Sequence, residues 1–327
     1  MKICVIGAGA MGSAYGGLLA RAGHEVTLVD TWAEHVAAIR AKGLRLDGVM
    51  GNLQIAINAQ GAVPAGLNAD LAMIWTDSNH TREAAESARA ALGSDGFAIT
   101  MQNGIGNVET LVEVLGEKRV AGGSSMSSAA MRGPGHAALT HMGKTTIGEL
   151  DGAASARIER LREALAGVGF EVRIHRGIMS VIWTKFAFNC ATNALCAASG
   201  LRQGEFARLP AMDRLQDRLI DEILAVTAAK KIKLDDPDFR ATVKAHCWKR
   251  FSRPSMLQHI EAGRRTEIGA LNERLVEEGA RLGVATPYND AVACLLRGVE
   301  HKRSVAAART EADYAALEAQ AGTRPGR

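Results

Sequence analysis

Lys185, Asn189 and Asn193 stand four residues apart in the run Ser180–Ala198, SVIWTKFAFNCATNALCAA. Read as a helix, this run is apolar nearly all round and must be buried. At about 100° per residue the three polar side chains fall in one stripe about 80° wide. Burying an ammonium and two amides costs several kcal/mol unless they find partners or a polar cleft. Two arrangements meet that demand: a stripe lining a substrate pocket, or a polar network inside a core. A second cluster lies at Arg253–Ile268, RPSMLQHIEAGRRTEI. Gly263 reads as a helix stop. Thr266 reads as the N-cap of a helix running through Leu271 and Leu275 to Leu282. Glu267 then falls in a first helical turn, where the helix dipole favours a carboxylate. Its role is either that capping or contact with a ligand. Arg264 and Arg265 read as a solvated surface.

These groups need a frame, and the N-terminus supplies one. Lys2–Ile6 is a short apolar strand that runs into Gly7-Ala8-Gly9-Ala10-Met11-Gly12, the spacing G-x-G-x-x-G, followed by a small-residue helix through Ala20. Gly7 permits the tight turn, Gly9 lets backbone approach a pyrophosphate, and Gly12 lets the helix pack on the strand. The N–H groups of the first turn, from Ala10 and Met11, face the phosphates. Gly23 closes the helix. A second strand, Glu25–Val29, ends in Asp30, about 20 residues past the glycines, where a ribose hydroxyl would be read. The strand Phe97–Met101 ends in Gln102-Asn103-Gly104-Ile105-Gly106-Asn107. There Asn103 could bond a nicotinamide amide or a substrate, or simply make an Asn-Gly turn.

Strands at 2–6, 25–29, 71–75 and 97–101 alternate with helices at about 11–21, 32–41, 81–92 and 107–115. That pattern predicts an α/β fold with a doubly wound parallel sheet of Rossmann type. Leu44–Gly48 and Leu53–Ile57 alternate apolar and polar residues and read as an inserted hairpin. Val120–Glu149 is rich in Gly, Ser and Met, with strand-like stretches at 138–141 and 145–148. A helix at about 154–166 and a strand at 171–174 follow. From Ile178 onward helical patterns dominate. The expected division is therefore a dinucleotide-binding domain over 1–176, an all-helical C-terminal domain over 177–303, and a partly disordered tail over 304–327.

Composition sets the limits. Of 327 residues, 47% are hydrophobic and 23% charged, and the formal net charge is +4. No Lys/Arg block stands out, so no nucleic-acid partner is expected. No apolar run approaches the roughly 20 residues that span a bilayer, and no signal peptide is recognised, so no membrane partner and a cytoplasmic location are expected. The five cysteines (Cys4, Cys190, Cys196, Cys247 and Cys294) are scattered and form no C-x-x-C pair. They read as buried small hydrophobes in a reducing compartment. No metal-ligand set is read, and a homodimer is entertained.

Together these residues resemble the ketopantoate reductase family, over most of the chain to about residue 303. The motifs that carry the resemblance are G-x-G-x-x-G, Gln102-Asn103-Gly104, Lys185-x-x-x-Asn189-x-x-x-Asn193, Ser255-Met256-Leu257-Gln258 and Thr266-Glu267-Ile268. The resemblance implies a Rossmann domain followed by a helical domain, with the active site between them. It implies hydride transfer from a nicotinamide cofactor to a 2-oxo acid, foremost ketopantoate in the pantothenate pathway, giving a 2-hydroxy acid. It makes Lys185 the general acid that protonates the carbonyl oxygen. Glu267 would bond the substrate and help organise Lys185. Asn189, Asn193 and Ser255 would position a small carboxylate substrate, and Asn103 would hold the nicotinamide end. The chemistry agrees, because hydride addition to a ketone leaves an alkoxide that a nearby proton donor stabilises.

Four positions depart from the family pattern. Asp77 stands in a loop where a lysine is common, Ser252 where some members have asparagine, and His259 where aspartate is frequent. Asp30 stands near where members using NADPH carry an arginine. A carboxylate there repels a 2′-phosphate and accepts bonds from a free 2′-hydroxyl, so NAD(H) is favoured over NADP(H). The nearest cations in sequence are Arg40 and Lys42. One alternative is a dehydrogenase of another small hydroxy acid. The β-hydroxyacid dehydrogenases share K-x-x-x-N, but they precede it with a Gly-rich turn that His175–Ser180 lacks. Another is a non-catalytic dinucleotide sensor, against which Lys185, Asn189, Asn193 and Glu267 all count.

Overall fold

The computed structural model describes residues 1–307; the greater part of the tail expected over 304–327 lies outside them. The elements of the first half are β1 (Lys2–Ile6), α1 (Ala10–Arg21), β2 (Glu25–Val29), α2 (Ala33–Lys42), β3 (Leu44–Gly48), β4 (Leu53–Ile55), β5 (Asn58–Gln60), β6 (Ala69–Ile74), α3 (Thr81–Ala91), β7 (Leu92–Thr100), α4 (Asn107–Leu115), β8 (Val120–Ser125), β9 (Ser128–Gly133), β10 (His136–His141), β11 (Thr145–Glu149), α5 (Ala156–Gly167) and β12 (Val172–Ile174). The second half is helical, with α6 (Ile178–Ser199), α7 (Gln203–Phe206), α8 (Pro210–Ala229), α9 (Phe239–Lys249), α10 (Ser255–Glu261), α11 (Asn272–Arg281) and α12 (Pro287–Ala307).

Eight strands form one sheet in the order β12-β11-β8-β7-β6-β1-β2-β5. From β5 across to β8 every neighbouring pair is parallel. The parallel reading needs one correction. β11 runs antiparallel to β8, and β12 pairs parallel with β11. The chain reaches β11 from β8 through β9 and β10, without a crossover helix to return it to the starting edge of the sheet.

The expected hairpin is present, but it belongs to a second sheet of order β4-β3-β10-β9. Two adjacent glycines of α1 explain how both sheets are served. A Cβ at Gly16 would meet Leu28 Cδ2 at 2.6 Å on the large sheet, and one at Gly17 would meet Leu44 Cδ2 at 2.8 Å on the small one. The small residues of α1 are what let it be packed on two sides. The core of this half is aliphatic and includes Ile3, Val5, Leu28, Leu44, Leu46, Leu71, Met73 and Ile99.

The chain divides into two compact units. One comprises Met1–Phe188 with Thr227–Phe239, and the other Asn189–Val226 with Arg240 onward. This differs from the expected division at 176/177. The first turns of α6 belong with the sheet because Ile178 and Ile182 pack there. A Cβ on Gly122 would lie 3.1 Å from Ile178 Cγ1 and 3.2 Å from Ile182 Cδ1. The segment Thr227–Phe239 returns to the first unit through polar bonds. Asp235 accepts from Arg173 (3.3 Å) and pairs with His175 (3.1 Å), its N–H donates to Thr184 (2.7 Å), and the Ser180 hydroxyl donates to the Lys233 carbonyl.

In the second unit, buried Glu222 accepts from the N–H groups of Tyr288 and Asn289 (2.8 and 2.9 Å) and so caps the start of α12. Cys4, Cys190, Cys196 and Cys247 are buried, and burial pushes the Cys4 thiol up to about 12. Cys294 departs from expectation and is exposed on α12. Among the described residues, no helix is long and apolar enough to cross a membrane.

Candidate functional site

The phosphate loop forms where the strand order reverses. β1 lies between β2 and β6, so the connections leaving β1 and returning to β6 diverge at its carboxyl end. Gly7 has φ +88°, and its N–H donates to Val29 O at 2.9 Å. A Cβ on Gly12 would lie 1.9 Å from Gly7 O, so only glycine lets the helix start this close. Gly9 differs, because a Cβ there would meet no protein atom within 4 Å. The missing side chain therefore leaves open space against the backbone. Gly9 caps α1 without a side-chain bond, and the first turn carries no acidic residue. The N–H groups of Ala10 and Met11 begin the helix at this open side, and the cradle fits a pyrophosphate.

Asp30 follows directly on β2. Its N–H donates to Gln60 O (3.1 Å), and its Oδ1 accepts from Trp32 N (2.9 Å). Arg40, the first cation after Asp30 in sequence, gives its Nε to Ala59 O at 2.7 Å and bonds the Gln60 side chain. Trp32 stacks on the His35 ring with centroids 5.2 Å apart. His35 is fully buried, and burial holds its pKa below the ordinary histidine value. Its Nδ1 accepts from Gly135 N (2.9 Å). Its Nε2 lies 3.4 Å from Ser13 Oγ, which donates to Ala8 O in the phosphate loop (2.6 Å).

Asn103 leaves β7 at the same edge of the sheet. Its carbonyl accepts from Ser78 Oγ (2.7 Å) and Asn107 Nδ2 (2.9 Å). Gln102 Nε2 donates to Thr76 O at 3.0 Å. Gly104 and Gly106 both have positive φ, so an Asn-Gly turn and a braced loop coexist. Asp77, where the family commonly has lysine, accepts from Asn79 N (2.9 Å) and caps the turn Ser78–His80.

Lys185 reaches this edge from α6. Its Nζ donates to the carbonyl of Ser125, the last residue of β8, at 2.6 Å. Gly122 of β8 and Gly148 of β11 are register partners, and Ile178 seats over both. A Cβ on Gly148 would lie 3.1 Å from Ile178 Cβ. That groove fixes where α6 starts, and Lys185 follows two turns later. β1, β2, β6, β7 and β8 are parallel, so their carboxyl ends share one edge. The phosphate loop, Asp30, Asn103 and the Lys185 ammonium are brought to that edge.

Ser125 is itself clamped. Its Oγ lies 2.8 Å from Tyr15 Oη and accepts from Ser127 N (3.1 Å), and Tyr15 Oη is 2.7 Å from Thr145 Oγ1. Tyr15 is fully buried, 4.1 Å from the Phe170 ring and 4.6 Å from the Trp75 ring. Burial raises its pKa and keeps the phenol protonated. Sequence reading missed Tyr15, Ser125 and Thr145. Each looks like an ordinary small-helix or strand residue, and only the fold brings them together.

The remaining candidates lie in the second unit. Asn189 is half-buried, and Asn193 is buried with its Oδ1 accepting from Thr192 Oγ1 at 3.0 Å. Ser255 is exposed and begins α10. Ser252 donates to Gln203 Oε1 at 2.7 Å, and His259 sits half-buried on α10. The expected helix from Thr266 to Leu282 is interrupted. Ile268–Ala270 is a single 3-10 turn, Leu271 has φ −113° and ψ −104°, and α11 begins only at Asn272. Thr266 Oγ1 accepts from Ile268 N (3.2 Å), which makes a local turn in place of an α-helical N-cap. Thr266 N donates to Glu300 Oε1 (2.5 Å). Glu267 therefore stands before a one-turn 3-10 helix, where the dipole is too short for the electrostatics expected of it.

Comparison with known proteins follows the same lines. The sequence model of the ketopantoate reductase PanE/ApbA family matches residues 3–152, and that of its C-terminal region matches residues 177–300. A 2-dehydropantoate 2-reductase of Pyrococcus horikoshii is 30% identical over 92% of this chain and 98% of the relative. A ketopantoate reductase of that family from Ralstonia eutropha JMP134 superposes with TM-score 0.85 at 32% identity, over 93% of this chain and 99% of that one. The ternary structure of D-mandelate dehydrogenase with NADH and anilino(oxo)acetate superposes with TM-score 0.86 at 27% identity, over 93% and 100%.

Proposed function

The chain belongs to the ketopantoate reductase family, and from that premise we propose that it reduces a 2-oxo acid to the 2-hydroxy acid, with ketopantoate as the first substrate to test. The observation that carries this reading is the Lys185 ammonium at the carboxyl edge of the sheet that also presents the phosphate loop. A bound nicotinamide cofactor supplies hydride to the carbonyl carbon. Gly7, Gly9, Gly12 and the N–H groups of Ala10 and Met11 hold its pyrophosphate. Asp30 receives a ribose hydroxyl, and Asn103 holds the nicotinamide end. Lys185 donates a proton to the carbonyl oxygen as negative charge develops there. The Ser125 carbonyl stabilises the protonated lysine without neutralising it. Asn189, Asn193, Ser255 and Glu267 bind and orient the substrate.

Asp30 supports NADH over NADPH. A carboxylate beside a 2′-phosphate sets like charges at close range, and the first cation after it in sequence, Arg40, is engaged by β5. A second reading, a dehydrogenase of another 2-hydroxy acid, is favoured by one observation: D-mandelate dehydrogenase, a neighbour with the same fold, is held with NADH. The test is initial rates with ketopantoate, phenylglyoxylate and pyruvate, each with NADH and NADPH. The primary reading expects the highest kcat/KM with ketopantoate and NADH. A preference for phenylglyoxylate would establish the second reading, and no turnover with any of the three would refute both.

A further inference from the structure

We infer that Tyr15, from the helix of the phosphate loop, is a positioning residue for the proton donor Lys185. The inference rests on the reading of Lys185 given above. The chain of contacts is short. Lys185 Nζ donates to Ser125 O, Ser125 Oγ bonds Tyr15 Oη, and Tyr15 Oη bonds Thr145 Oγ1 on β11. Ser125 ends β8, and the ladder to β11 makes one last bond just beyond it, Met126 N to Lys144 O at 2.9 Å, before the two-residue link Met126-Ser127 leads to β9. That bond holds one side of the peptide plane that carries the Ser125 carbonyl, and the grip of Tyr15 and Ser127 on the Ser125 side chain holds the other. Ser127 N already donates to Ser125 Oγ. One arrangement compatible with these contacts sends the Ser125 proton to the phenol oxygen and the phenol proton to Thr145.

The phenol cannot drift, because Trp75 and Phe170 pack on its ring and the residue is fully buried. A phenylalanine would fill the same space with the same ring contacts. What the hydroxyl adds is a bridge tying α1 to the ends of β8 and β11. Since α1 also presents its N-terminus to the cofactor, one helix sets the place of the hydride donor and, through Ser125, the place of the proton donor.

The experiment compares wild type, Tyr15→Phe, Ser125→Ala, the double variant of these two and Lys185→Met, each as the full chain with NADH and ketopantoate over pH 6–10. A carbonyl that accepts from an ammonium favours its protonated form. Loosening that carbonyl should lower the lysine pKa. Tyr15→Phe is expected to lower kcat about tenfold, the scale of a mispositioned group, and to move the alkaline limb of kcat to lower pH. KM for both ligands should stay within twofold. Ser125→Ala should reproduce the shift, and the double variant should add little to either single one.

A Tyr15→Phe enzyme with wild-type kcat and pH profile would overturn the inference. So would one that is less thermostable and slower with its alkaline limb unmoved, which is the mark of a merely structural hydroxyl. Lys185→Met separates the two layers. If it keeps turnover and the alkaline limb, the reading of Lys185 falls and the inference with it. If it is inactive while Tyr15→Phe is unaffected, only the inference falls.

Discussion

Lys185 is half-buried with its Nζ donating to the Ser125 carbonyl, and it is the acid of the proposed reaction. Removing it should take away a positioned acid and little else. Lys185→Ala is expected to lower kcat by about 10²–10⁴-fold while the NADH Kd, measured by titration, changes less than threefold. Glu267 now has a sharper test than the sequence offered. It does not begin an α-helix, so loss of its charge should not cost helix-dipole stability. Glu267→Gln should lower kcat/KM at least tenfold and leave the thermal midpoint within about 1 °C. A variant that melts lower with normal kinetics would return Glu267 to a structural role. In the proposed reading Asp30 sets cofactor choice. Asp30→Asn should narrow the NADH/NADPH ratio of kcat/KM, and Thr31→Arg added to it should move the ratio further towards NADPH.

Helix α2 shows how an element is tied to the phosphate loop. Its His35 accepts at Nδ1 from Gly135 N and meets Ser13 at Nε2, a pattern that suits the neutral ring. Burial holds its folded-state pKa below the unfolded value of about 6.5. On acidification the unfolded chain takes up the proton first. The stability His35 contributes is therefore complete above about pH 6.5 and is lost as pH falls below it. His35→Asn keeps an acceptor near the Nδ1 position and cannot titrate. Its denaturation midpoint should fall less steeply than wild type between pH 7 and pH 5. Equal slopes would show that His35 takes up its proton alike in the folded and unfolded chain.

Strand β8 makes the opposite point. Val120-Ala121-Gly122-Gly123-Ser124-Ser125 gives no strand pattern in sequence because it has almost no side chains. It is a fully buried strand for the same reason. Ile178 and Ile182 fill the space above Gly122, and Met101 that beside Gly123.

Across the chain, the proposal that the sheet binds a dinucleotide has a thermodynamic consequence independent of turnover. A ligand that binds only the folded state at 100 times its Kd stabilises by about 2.7 kcal/mol. NADH should raise the thermal midpoint, and NADPH at equal concentration should raise it less. Asp30→Asn should bring the two shifts together. Equal shifts in the wild type would mean that Asp30 does not read the ribose.

The glycine turn after β1, the alternation of strands and helices, and the polar stripe of α6 are determined by sequence alone. Each is a local demand: a positive φ at Gly7, a period of 2 or 3.6, or a charge that an apolar helix cannot carry idly. The second sheet, the return of Thr227–Phe239 to the first unit and the antiparallel β11 were not legible. They depend on which distant surface a segment meets. The same holds for Lys185. Its presence on a buried helix marked it, but its reach to Ser125 was decided by Gly122 and Gly148 standing opposite each other beneath Ile178. An absent side chain carries no information until the residue that fills its space is known, and only the tertiary structure supplies that residue.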